Sequence, residues 1–145
     1  MIMPQEYSTI INKQKNLVLF VVLIGVLMSA IDTTIVILAL PTIDAGLHTV
    51  SLISSWVILA YIIVITVIST QVGKLGDNYG RSKMYNFGFV MFIVGSALCG
   101  LSQNIYQLIM FRVLQSIGGG FLSANSGAII SDYFEPYERG RAFGY

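Results

Sequence analysis

Four long apolar stretches, separated by short polar segments, make up most of this sequence. They cover residues 17–40, 52–72, 84–101 and 105–130, so each contains at least 18 residues. An α-helix rises about 1.5 Å per residue and the hydrocarbon core of a bilayer is about 30 Å thick, so about twenty apolar residues cross it. The sequence therefore predicts an all-α, multi-pass membrane protein, a bundle of transmembrane helices.

The composition excludes several other classes of protein. Only 10% of the residues are charged and 55% are hydrophobic, whereas a soluble domain has about 25% charged residues. The net charge of +1 and the scattered basic residues leave no patch for nucleic acid. Cys99 is the single cysteine, so neither a disulfide framework nor a thiolate metal site is expected. Because the sequence shows no nucleophile–base pair, metal cluster or phosphate loop, it predicts neither an enzyme nor a cofactor.

The basic residues predict how the bundle is oriented. Seven of the eight lie before the first stretch, between the second and third, or after the fourth: Lys13, Lys15, Lys74, Arg81, Lys83, Arg139 and Arg141. By the positive-inside rule this side is the cytoplasm. Residues 1–16 are then a cytoplasmic N-terminal tail, and residues 17–145 form a partial bundle in the cell membrane. A fifth helix is expected to begin near residue 142, so the chain looks cut and not finished.

Asp32 and Arg112 are the two charged residues predicted to lie at membrane depth. Each costs roughly 2.5–3.5 kcal/mol at a helix centre, so such residues are usually functional. Counted from the outer helix ends, they lie about 12 Å and about 10 Å deep, which lets them face one another. An Asp opposed by an Arg in a wet cavity suits proton exchange, because the cation favours the carboxylate and desolvation favours the acid. The alternative is a static ion pair that holds two helices together.

A polar and small-residue stripe runs along the fourth stretch. Its members recur at three- and four-residue spacing, which places them on one helical face: Arg112, Gln115, Gly119, Ser123 and Ser126. This face is expected to line a substrate cavity, although close helix packing also explains the small residues. Tyr61, on the second stretch, is a candidate ring for cation–π contact with a substrate, with an aromatic belt as the alternative.

Three motifs resemble one family of transporters. The segment "GKLGDNYGRSK", Gly73 to Lys83, closely resembles the signature loop between the second and third helices of the major facilitator superfamily, G-x-L-x-D-[RK]-x-G-[RK]-[RK]. "IDTTIVILALP", Ile31 to Pro41, is similar to the first-helix motif of the fourteen-helix drug:proton antiporters. "RVLQSIGGG", Arg112 to Gly120, resembles their fourth-helix motif, R-x-x-Q-G-x-G. The chain is thus identified as an N-terminal fragment of such a transporter, containing the first four helices of its six-helix N-terminal domain.

The chain departs from these motifs at four positions. Asn78 and Ser82 replace basic residues of the loop motif, Ile37 stands where asparagine is common, and Ser116 replaces a glycine. The charge network of the loop is therefore thinner than the family pattern.

The resemblance implies alternating access, in which two helical bundles rock about a central site and a proton gradient drives export. It assigns proton coupling to Asp32 and Arg112, and conformational switching to four residues of the loop: Gly73, Asp77, Gly80 and Arg81. The expected partners are the lipid bilayer, a small amphipathic or cationic substrate, and the remaining helices of the transporter in the same or a companion chain.

Two other functions stay open at this point. The loop motif is shared across the superfamily, so uptake of a metabolite is the first alternative. The second is a truncated or split-gene membrane fragment with no independent transport activity.

Overall fold

The computed structural model describes residues 4–134, 137 and 140 of the chain. In this part of the chain the secondary structure consists of four α-helices: α1 (Pro4–Gly46), α2 (Ser51–Tyr79), α3 (Arg81–Gly100) and α4 (Ile105–Tyr133). All four are long and apolar enough to cross a membrane. The predicted all-α membrane bundle is therefore confirmed. The predicted fifth helix near residue 142 lies outside the described residues.

Two of the helices extend well beyond the apolar stretches. Helix α1 begins at Pro4, so residues 4–16, expected to form a tail, continue the first helix. Helix α2 runs through the polar segment as far as Tyr79. A helix that has formed propagates at little cost and satisfies its own backbone groups, so it ends at a breaking residue and not where the sequence turns polar.

A single residue, Gly80, connects α2 to α3. Its φ angle of 94° lies in the region that side chains of L-residues rarely adopt. Its N–H donates to the carbonyl of Gly76 at 3.0 Å, which closes the last turn of α2. The segment from Gly73 to Lys83, predicted to be a loop, is therefore two helix ends that meet at Gly80. We call this end of the bundle the Gly80 end.

The opposite end of the bundle, here called the loop end, carries the α1–α2 and α3–α4 connections. Asp44, near the end of α1, accepts hydrogen bonds from the hydroxyls of Ser51 and Ser54 at the start of α2. Asn104 caps α4, since its side-chain oxygen accepts a bond from the N–H of Gln107 at 2.9 Å. Side chains therefore fix both connections at this end.

Helix α4 is the most buried helix and packs closely against α3 through glycines. A Cβ atom on Gly118 would lie 2.5 Å from the backbone nitrogen of Phe92, and one on Gly95 would lie 2.6 Å from the Cα of Gln115. Small residues allow two membrane helices to approach backbone to backbone. Apolar clusters lie on either side of the midpoint of α4, one around Leu122 towards the Gly80 end and one around Leu108 towards the loop end.

Helix α1 is held to the bundle at a few points, and much of its surface is exposed. Near the Gly80 end, the Tyr85 hydroxyl donates to the carbonyls of Val21 and Val22 at 3.2 and 3.3 Å. Gly25 makes room for this hydroxyl, because a Cβ atom there would overlap it. The second point of attachment is Asp32.

The α3–α4 contact leads to a test of stability. Gly118→Ala is expected to lower the free energy of unfolding by about 1–3 kcal/mol, because the new methyl group meets backbone atoms of α3 that cannot rotate away. Thermal unfolding of the protein in detergent measures the effect. Gly100→Ala is the matched control, since no atom lies within 4 Å of a Cβ there. Equal melting temperatures for the two variants would contradict the close packing.

Candidate functional site

Three polar side chains form a closed cluster at the middle of the bundle, between α1 and α4. Nη1 of Arg112 donates to Oδ2 of Asp32 at 2.7 Å and to Oε1 of Gln115 at 2.7 Å. Nε2 of Gln115 donates to Oδ1 of Asp32 at 2.9 Å. Each side chain thus bonds to the other two, and both carboxylate oxygens are occupied. We call these three residues the Asp32 cluster.

Helix geometry and close packing position the Asp32 cluster. Arg112 and Gln115 are three residues apart on α4 and therefore share a face. Gly95 of α3 lies against the backbone of Gln115, so α3 backs this part of α4. Asp32 is supplied by α1 alone. Two distant sequence segments therefore meet, as the estimated depths of the two charges predict.

The members of the cluster differ in their exposure. Arg112 is 2% exposed and Gln115 is fully buried, whereas the side chain of Asp32 is 16% exposed. Asp32 lines an opening of about 250 Å³ together with Met28, Ile31, Ile35, Phe92 and Ser96. The carboxylate is thus the member of the cluster that a solute in this opening can reach, while the guanidinium lies behind it.

Tyr61 of α2 covers the face of the Arg112 side chain. The guanidinium carbon lies 4.5 Å from the centroid of the Tyr61 ring, within the range of a cation–π contact. Tyr61 is 4% exposed. Its hydroxyl and the Nε of Arg112 are both buried without a hydrogen-bond partner among the described residues. The ring therefore contacts the guanidinium of Arg112, whereas the sequence suggested that it would contact a cationic substrate.

The predicted cavity residues do not all lie together. Tyr61 and Gln115 contact Arg112, and Gly119 lies against Tyr61, since a Cβ on Gly119 would lie 3.1 Å from the Tyr61 hydroxyl. Ser123 lies further along α4, about 16 Å from Arg112 by the helical rise. It is exposed, and its hydroxyl pairs with that of Ser69 on α2 at 3.0 Å. Ser123 is therefore separate from the Asp32 cluster.

At the Gly80 end, Arg81 links three helices. Its Nη2 lies 2.8 Å from Oδ1 of Asp77 on α2, and its Nη1 lies 2.7 Å from Oδ1 of Asp132 on α4. Nη1 also donates to the carbonyl of Ala128 at 3.2 Å. Side-chain hydrogen bonds, chiefly with Asp77, raise the pKa of Arg81 above its ordinary value. The acidic side chains are exposed, so each pair contributes little stability, but together they fix α4 against the α2–α3 junction.

Sequence reasoning missed two residues of this junction. Asp132 is recognisable only as an acidic residue near the end of the fourth stretch. Among the glycines of this junction, Gly76 has the tightest surroundings, because a Cβ there would overlap Oδ1 of Asn125, which is 1% exposed. By contrast, no atom lies within 4 Å of a Cβ on Gly73. Gly80 is required for its φ angle, and Gly76 for close packing.

The Asp32 cluster consists of groups that form ion pairs and hydrogen bonds. Among residues 4–134, 137 and 140, no group of three or more His, Cys, Asp or Glu side chains is placed to hold a metal ion. What the site offers is a carboxylate that is bonded by Arg112 and Gln115 and has one accessible side.

Comparison with known proteins gives the family. The model of the Major Facilitator Superfamily matches residues 22–145. The chain is 40% identical over 132 residues to the riboflavin transporter RibZ of Clostridioides difficile (strain 630), which covers 91% of this chain and 29% of RibZ. It is 43% identical over 122 residues to multidrug resistance protein 3 of Bacillus subtilis (strain 168), and this match covers 84% of this chain and 24% of that protein. It is 37% identical over 133 residues to the multidrug transporter protein MdtP of the same organism, and this match covers 92% of this chain and 24% of MdtP. No solved structure gives a significant match.

The chain spans less than a third of the length of these relatives. RibZ and MdtP are named as transporters, the third relative is named as a multidrug resistance protein, and none of the three is named as an enzyme. The family model covers most of the chain, including all of α2, α3 and α4. The chain is part of a multi-pass membrane protein that belongs to the major facilitator superfamily.

Proposed function

We propose that the complete transporter exports small amphipathic or cationic compounds in exchange for protons, by alternating access. The observation that carries this proposal is the Asp32 cluster, a carboxylate at membrane depth whose charge is balanced by one buried arginine. A charge pair at this depth is costly to keep in a membrane unless it is used. Similarity to one protein named for multidrug resistance and one named as a multidrug transporter supports the substrate class.

Protonation of Asp32 would change the cluster in a defined way. The deprotonated carboxylate accepts from Arg112 and from Gln115. A proton that arrives through the opening beside Asp32 removes the negative charge and turns one acceptor oxygen into a donor. Arg112 then keeps Gln115 as its hydrogen-bond acceptor but loses its counterion. The hold of α1 on α4 weakens, which gives α1 freedom to move when the proton is bound.

Helix α4 connects the cluster to the junction at the Gly80 end. Arg112 lies in the first third of α4, towards the loop end, and Asp132 lies next to its last residue. A shift of α4 therefore also acts on the Arg81 contacts with Asp77 and Asp132. We assign proton coupling to Asp32 and Arg112, and conformational switching to the junction. By the positive-inside rule, the basic residues of the junction favour a cytoplasmic position for the Gly80 end and the N-terminus.

A metabolite uptake transporter is the second candidate function. The similarity to RibZ, which is named as a riboflavin transporter, favours it. The Asp32 cluster serves either direction, because protonation of a carboxylate drives import as well as export, depending on which side the substrate is loaded.

The direction and energy source can be tested with the complete gene. Cells that lack their own efflux pumps are expected to accumulate less of a fluorescent lipophilic cation when they express it, and a protonophore should abolish the difference. The protein formed by residues 1–145 alone is the control and is expected to transport nothing in liposomes, since it covers less than a third of its relatives. Increased accumulation, or efflux that survives the protonophore, would contradict proton-driven export.

A further inference from the structure

We propose that Tyr61 is a positioning residue for Arg112, and that its ring does not bind the substrate cation. This inference rests on the proposed function and deepens it, because it names the group that holds Arg112 while Asp32 carries a proton. The opposite role, a ring in the substrate cavity, is what the sequence alone suggests for Tyr61.

The ring face is already occupied. The guanidinium carbon of Arg112 lies 4.5 Å from the ring centroid, and both residues are almost completely buried. The ring is also confined from the side of α4, because a Cβ on Gly119 would lie 3.1 Å from the Tyr61 hydroxyl. A cation from outside can reach this face only after Arg112 has left it, and Arg112 leaves only by breaking its bonds to Asp32 and Gln115.

The contact is made by the ring and not by the hydroxyl. The hydroxyl lies near the side chains of Ser29 and Thr33 on α1, but it makes no hydrogen bond of normal geometry with any described residue, and an unpaired buried polar group is unfavourable. Tyr61→Phe keeps the ring and removes only this hydroxyl. The geometry therefore predicts that phenylalanine at position 61 keeps the transport rate, whereas an aliphatic residue lowers it.

The ring has its main effect when Asp32 is protonated. Arg112 is then buried without a counterion, and its remaining partners are the side-chain amide oxygen (Oε1) of Gln115 and the ring face of Tyr61. A quadrupole that attracts a desolvated cation keeps the guanidinium at its place. Arg112 is then positioned to form its ion pair with Asp32 again as soon as the proton leaves the carboxylate. Without the ring, Arg112 is free to move away and the cycle slows.

Transport measurements on the complete transporter separate the two roles. Tyr61→Leu is expected to lower the maximal rate about tenfold for cationic and neutral substrates alike, with KM unchanged, since a desolvated cation–π contact is lost. Tyr61→Phe should stay within about twofold of the original rate. Trp56→Leu is the matched control, because Trp56 lies on the same helix and is 52% exposed; both of its kinetic constants should be unchanged. A raised KM for cationic substrates alone, or a Tyr61→Phe variant as slow as Tyr61→Leu, would overturn the proposal.

A second measurement does not depend on transport. In a double-mutant cycle of Tyr61→Leu and Arg112→Gln, followed by thermal unfolding in detergent, the shifts in Tm are expected to be non-additive. Additive shifts in a transporter with intact proton-driven efflux would overturn the role of Tyr61 and leave the proposed function standing. Non-additive shifts in a protein without proton-driven transport would support the contact between ring and guanidinium and refute the proposed function.

Discussion

Asp32→Asn in the complete transporter is expected to reduce proton-driven transport to the background of cells that lack the gene. Asparagine has almost the same size as aspartate, and its amide oxygen still accepts a bond from Arg112 or Gln115, so the helices stay in contact. It carries no titratable proton, so the step that the gradient drives is lost. Uptake or efflux of substrate against its gradient, in vesicles with an imposed pH difference, measures the effect.

Asp44→Asn supplies the control for this experiment. It makes the same chemical change on the same helix, at the loop end, where the carboxylate accepts hydrogen bonds from the hydroxyls of Ser51 and Ser54. This variant is expected to keep proton-driven transport. If the Asp32→Asn variant transported substrate at the same rate and with the same pH dependence as the original protein, proton coupling would have to be assigned to another residue.

Arg112→Leu is expected to lower the free energy of unfolding more than Gly118→Ala does. It leaves the carboxylate of Asp32 without a cation and Oε1 of Gln115 with only the weak thiol donor of Cys99 among the described residues, and breaking a buried charge pair from one side costs about 3–5 kcal/mol. The amount of folded protein in the membrane should fall, and so should the melting temperature of the protein that remains. Both are measured on the complete transporter, by quantitative blotting and by thermal unfolding in detergent.

The double variant Asp32→Leu/Arg112→Leu tests the reason for that loss. Removing both charges leaves no uncompensated ion, so stability should return to near that of the original protein, although transport should not. A double variant as unstable as Arg112→Leu alone would mean that Arg112 acts through packing and not through its charge.

The sequence predicts the centre of the site better than its periphery. Helical rise places Asp32 and Arg112 at similar depth, and three-residue spacing places Gln115 beside Arg112; the structure brings all three together. Ser123 has the same spacing, yet it lies about three turns away. Periodicity gives the face of a helix, but it does not say which neighbouring helix covers that face at each level.

The role of Tyr61 and the partners of Arg81 also depend on packing that the sequence does not show. An aromatic residue on a membrane helix is compatible with a belt, a substrate cavity or a contact with an arginine, and only the position of α4 decides among them. Asp132 becomes a partner of Arg81 because glycines such as Gly118 bring α3 against α4. The polar segment from Gly73 to Lys83 was predicted to be a loop because its residues are polar, whereas helix termination depends on the backbone of Gly80.

The connection between α2 and α3 through Gly80 leaves no slack in the chain at that end of the bundle. One inserted residue would turn α3 by about 100° about its axis and carry its glycines away from α4. We therefore expect changes in length to be tolerated better in the longer connections at the loop end than at Gly80.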